Sequence, residues 1–116
     1  MTATAMVAII GTMPTETVRL DAYVLDVLLP DLVGHDRRAS AFLVYLVLWR
    51  RTKGGRRRSS PVSLRALAEE TGLSKRAVQD ALARLLTRRL IAVTRAAPTA
   101  VPEIAVLKPW DRRRAG

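Results

Sequence analysis

Arg76, Gln79, Asp80 and Arg84 put four hydrogen-bonding side chains within a short span of chain. The guanidinium of Arg76 can fork onto O6 and N7 of a guanine, and the carboxamide of Gln79 can pair with N6 and N7 of an adenine. Asp80 can accept from a cytosine amino group. It also has a plainer reading, because Arg76 and Arg84 lie four residues to either side and predict a row of intrahelical ion pairs worth tenths of a kcal/mol. In such a row Asp80 would orient Arg76 rather than read a base. Ser74 and Lys75 just ahead of these residues suit phosphate oxygens, as do Arg56, Arg57, Arg58 and Arg95. Other chemistries find little support. There is no nucleophile paired with a base, no phosphate-cradling glycine loop and no close carboxylate pair, so catalysis is not expected and no cofactor is implied. Cysteine is absent, which removes disulfides and thiolate metal sites. The single His35 beside Gly34 reads as a turn residue, and no metal is expected.

The elements that must position these side chains lie between Ser63 and Ile91. Ser63 can cap a first helix whose apolar residues Leu64, Leu67 and Ala68 recur at helical spacing. Gly72 suits a left-handed stop. Ser74 can cap a second helix with an apolar stripe of Val78, Ala81, Leu82, Leu85 and Leu86. Two short helices about a tight turn form a helix-turn-helix. With Val78 at the centre of the buried face, steps of ~100° per residue put Arg76, Asp80, Ala83 and Thr87 opposite it, with Gln79 and Arg84 flanking. Lys75 lies nearer the core side but in the first turn.

Leu67-Ala68, Gly72-Leu73-Ser74, Val78, Leu82, Leu85 and the pair Leu90-Ile91 together resemble winged-helix DNA-binding domains. Bacterial transcription regulators of the GntR and MarR kind and some replication initiators carry such domains. The resemblance spans about residues 36–110. It implies a mainly α fold with a small β-hairpin, an α+β winged helix-turn-helix with a three-helix core and here an extra N-terminal helix. It also implies double-stranded DNA as partner, with the second helix of the motif in the major groove. Such domains often carry glycine just before the Leu-Ile pair. Arg89 stands there, so a strained or differently capped exit from the helix is expected.

The rest of the chain fits this frame. Residues 1–14 read as a disordered leader, with Met13 as an alternative start, residues 15–110 as the domain and 111–116 as a basic tail. Helices are expected at about 17–29, 37–53, 64–71 and 75–88, with the wing at about 90–108. Leu20, Tyr23, Val24, Val27 and Leu28 would share the apolar face of the first helix, and Pro30 would break or kink it. That helix either completes the core or forms half of a homodimer interface, with the core favoured for so small a domain. Nine apolar residues, Ala41 to Trp49, predict a helix buried on most sides. Ser59 to Ser63 predict a short strand, restricted to an edge by Pro61. No run approaches the ~20 apolar residues of a membrane span, and the expected setting is cytoplasmic.

Charge supports a polyanionic partner. Residues 1–49 hold three basic and five acidic side chains, whereas residues 50–116 hold seventeen and five, a net of −2 against +12. Phosphates would relieve the self-repulsion of the second half. Sequence-specific DNA binding by a small transcription regulator is the leading expectation. A replication or partition initiator module is the first alternative, and a winged-helix adaptor for protein or RNA the second.

Overall fold

The apolar run from Ala41 to Trp49 becomes the central helix of the fold in a computed structural model, which describes residues 16–111. The expected leader, and the tail beyond Asp111, lie outside that range. Helix α1, Ala39–Arg51, buries Ala41, Phe42, Val44, Tyr45, Leu48 and Trp49. Tyr45 reaches across the core, and its hydroxyl donates to Leu107 O at 3.0 Å. Burial raises the pKa of this phenol above its ordinary value.

Helix α2, Leu64–Thr71, begins at Ser63, whose hydroxyl accepts the Ala66 N–H at 3.0 Å. It ends at Gly72, left-handed at φ 79°. Helix α3, Lys75–Thr87, follows after a turn of three residues and packs on α1 and α2 through Val78, Ala81 and Leu85. A helix as short as α2 is marginal alone, so its cap and its packing against α1 and α3 carry it. The fork of Arg51 on Glu70 ties the end of α1 to α2.

The strands are β1, Ser60–Pro61, β2, Ile91–Thr94, and β3, Glu103–Val106. Their order is β1-β3-β2 and all pairs are antiparallel. Pro61 lies on an edge strand, the one place where its missing N–H is tolerated. Ile91 opposite Val106 and Val93 opposite Ile104 form the face turned to the helices. A three-helix core with this sheet is a winged helix-turn-helix, and β2 and β3 form the wing.

Two expectations about the N-terminal helix are corrected. Residues 16–21 are not helical, and Pro30 does not stop the helix. Wide π-helical turns span Val24–Leu28 and then Pro30–His35. Pro30 opens the second segment in its first turn, where a missing N–H costs least, while the Leu29 N–H closes back on Val24 O. The buried residues are Val24, Leu28 and Leu32, spaced by four, and a turn wider than 3.6 residues keeps them on one face. Burial of each contributes ~1.5–3 kcal/mol. Leu20, Tyr23 and Val27, expected on that face, are instead exposed. The helix therefore completes the core. Trp110 seals its start, stacking on Tyr23 with ring centroids 4.5 Å apart and donating to Asp21 at 3.1 Å.

Candidate nucleic-acid interface

Helix α3 is held from beneath and left open above. Ser74 caps it by accepting the Ala77 N–H at 3.1 Å. A hydroxyl that accepts with a lone pair keeps its hydrogen free to donate, so the cap and a phosphate contact are compatible at Ser74. Val78, Ala81 and Leu85 are fully buried, Arg76, Gln79, Asp80, Ala83 and Thr87 stand exposed on the other side, and Lys75 is exposed in the first turn. The face inferred from periodicity is the face the fold presents.

Three details differ from expectation. Leu86, placed in the apolar stripe, is 45% exposed, because eight steps of ~100° put it roughly 80° round the helix from Val78, at the stripe's edge. Among the described residues Asp80 makes no ion pair with Arg76 or Arg84. Exposed pairs gain little against the entropy of fixing two long side chains, so the row is not formed. Arg84 is half-buried, and its charge acts on Asp36 at the end of the N-terminal helix, helping to hold that carboxyl below its ordinary pKa.

The exit from α3 resolves the question raised by Arg89. Arg89 takes φ 55°, donating to Leu86 O at 3.0 Å, and Leu90 donates to Leu85 O at 2.9 Å. This pair of bonds is a Schellman motif, which places the residue after the C-cap in the left-handed region. Arginine occupies the glycine conformation, and the exit is strained rather than rerouted.

The phosphate candidates fall into separate groups. Arg56, Arg57 and Arg58 are exposed on the loop after α1. Its backbone is fixed: Lys53, Gly54 and Gly55 all have positive φ, and Gly55 and Arg57 both donate to Thr52 O, at 3.0 and 2.9 Å. Gly54 lies so close to the Trp49 indole that an added Cβ would meet it at 3.1 Å. Arg56 shares an open cleft of about 750 Å³ with Arg19, Lys53, Glu16 and Lys108. Lys108 follows β3, so this cleft lies at the base of the hairpin. Arg95 lies at the other end of the strands and donates to Ala100 O at 3.3 Å, bracing the wing's tip. The basic loop and Arg95 are not brought together.

Sequence reasoning missed Arg88, the C-cap of α3. It donates to both oxygens of Asp36, at 3.1 and 3.0 Å, and also to Asp31. Asp31, His35 and Asp36 thereby come close enough to share a cation, but the guanidinium of Arg88 already occupies both carboxylates. No periodicity or spacing links residues so far apart in the chain.

Residues 38–91, from the start of α1 to the first residue of β2, match the family model described as a helix-turn-helix domain. The chain carries a helix-turn-helix domain. No curated protein and no solved structure matches it. The helix-turn-helix points to DNA as partner, and the outer face of its second helix, α3, is polar and exposed. No helix among the described residues is long and apolar enough to cross a membrane.

Proposed function

We propose that this protein is a sequence-specific double-stranded DNA-binding protein without catalytic activity, acting as a small transcription regulator in the cytoplasm. The exposed face of α3 carries the reading: Arg76 and Gln79 project from a capped helix whose opposite face is locked by Val78, Ala81 and Leu85. Arg76 and Gln79 read bases, with Asp80 beside them and Arg84 at the margin. Ser74, Lys75, Arg95 and the loop arginines Arg56, Arg57 and Arg58 hold phosphates. The net of +12 in residues 50–116 supports the same partner.

Two copies would read two half-sites about one helical turn apart. Leu25, Leu29 and Val33, spaced by four, stay exposed as one stripe along the N-terminal helix. Residues 1–49 carry a net of −2, so two copies meeting there avoid the repulsion of their basic halves. The test is selection of duplexes from a random pool, followed by titration of the selected site against scrambled duplex at two salt concentrations. Enrichment of a defined motif is expected. Retention of no motif, with weak and sequence-blind binding, would overturn the reading and move the adaptor alternative ahead.

A further inference from the structure

The reading helix ends in a charge clasp on the N-terminal helix. Arg88 spans 52 residues of chain to Asp36 and 57 to Asp31, and both carboxylates belong to the N-terminal helix. The wide turn brings them together: the Asp36 N–H bonds Asp31 O, five residues back, at 2.8 Å. The Asp36 side chain is only 7% exposed, against 30% for Arg88. His35 Nδ1 lies 3.1 Å from Asp36 on the solvent side, and Arg84 adds positive charge from one turn earlier on α3.

The aliphatic contacts of Val78, Ala81 and Leu85 keep α3 against the core, but apolar burial is non-directional and tolerates rocking. A planar guanidinium divided between two carboxylates, Nη1 on Asp36 and Nη2 on Asp31, is directional. Arg76 lies about 18 Å from Arg88 along the helix, at 1.5 Å per residue. A tilt of ~10° about the clasp would carry Arg76 roughly 3 Å sideways, whereas base-edge hydrogen bonds tolerate only a few tenths of an ångström.

We propose that Arg88, with Asp31 and Asp36, is a positioning device for base reading. It sets the angle at which α3 presents Arg76 and Gln79, and it couples that angle to the N-terminal helix. Arg88 does this without touching DNA. The proposal rests on the DNA-reading function above.

The experiment compares wild type, Arg88→Ala, the double carboxamide Asp31→Asn/Asp36→Asn and the combined triple variant. For each, affinity is measured for the selected duplex and for one with a substituted base pair, at fixed salt, with circular dichroism confirming the fold. Arg88→Ala should lower the discrimination ratio about tenfold, the value of one well-placed fork. The double carboxamide should lower it similarly, although it raises the net charge by two and would by charge alone tighten binding to every duplex. The triple variant should lose no more than either, because the three residues act as one unit. Arg88→Lys keeps the charge but not the fork. It should fall between wild type and Arg88→Ala, and it carries the test should Arg88→Ala not fold.

Folded variants that all keep discrimination within twofold of wild type would overturn the proposal. So would uniform weakening by Arg88→Ala together with uniform tightening by the double carboxamide, the signature of a phosphate contact at Arg88. A wild-type protein that discriminates no duplex would instead overturn the DNA-reading function, and the positioning role with it.

Discussion

Arg76 and Val78 sit two residues apart on α3 and face opposite ways, one exposed and one fully buried. Arg76→Ala should cost ~1–3 kcal/mol on the preferred site and relax selection at one base pair, while the melting temperature barely moves. Val78→Asp should unfold the domain, because it buries a carboxylate among aliphatic groups with no partner. Site selection paired with circular dichroism separates the two effects. Arg89 offers a stability test of the same grain. A non-glycine residue at φ 55° is strained by ~1–2 kcal/mol, part of which glycine returns as extra freedom of the unfolded chain. Arg89→Gly should therefore stabilise the protein by ~0.5–1 kcal/mol in denaturant unfolding. Its site preference should stay the same.

At the scale of elements, the N-terminal helix and α3 are joined by charge as well as by packing. Asp36 is held below the ordinary carboxylate pKa, first by the hydrogen bond with His35 and then by the charges of Arg88 and Arg84, against the opposing effect of burial. A carboxyl with a lowered folded pKa stabilises fully above its unfolded value, about 3.9. That stabilisation is lost as pH falls through the lowered folded value. Thermal melts should show stability falling on acidification below about pH 4. Asp36→Asn should be less stable at neutral pH and should flatten that acid limb. An unchanged acid limb in the Asn variant would place the acid sensitivity elsewhere.

For the whole molecule the lopsided charge is the governing quantity. Duplex affinity should fall steeply with salt, with a log–log slope of about 0.9 per neutralised phosphate. Replacing Arg56, Arg57 and Arg58 by Ala should flatten the slope and leave site preference intact. Their loop lies at the hairpin base, so the slope also reports whether bound duplex reaches that end of the domain. A wild-type slope in the triple variant would make the loop a solvated bystander. Assembly is the other molecular quantity. Sedimentation at micromolar concentration should show a dimer on the selected duplex, and Leu25→Glu or Val33→Glu on the outer face of the N-terminal helix should abolish it. A monomer on that duplex would leave this face as exposed surface only.

What was legible in the sequence was local. The caps at Ser63 and Ser74, the left-handed stop at Gly72, the edge strand at Pro61 and the strain at Arg89 each depend on a few neighbouring residues. The outward face of α3 follows from Val78, Ala81 and Leu85 repeating at helical spacing, and the start of the wing from apolar Ile91 and Val93. Only the tertiary structure decided the rest. The N-terminal helix winds wide because α1 and the core accept Val24, Leu28 and Leu32 together. Asp80 stays unpaired with its helix neighbours because solvent competes for both partners. Arg88 closes on Asp31 and Asp36 more than fifty residues away. Caps and periodicities act over one turn of chain; a charge clasp between distant segments exists only once hydrophobic packing has brought them together.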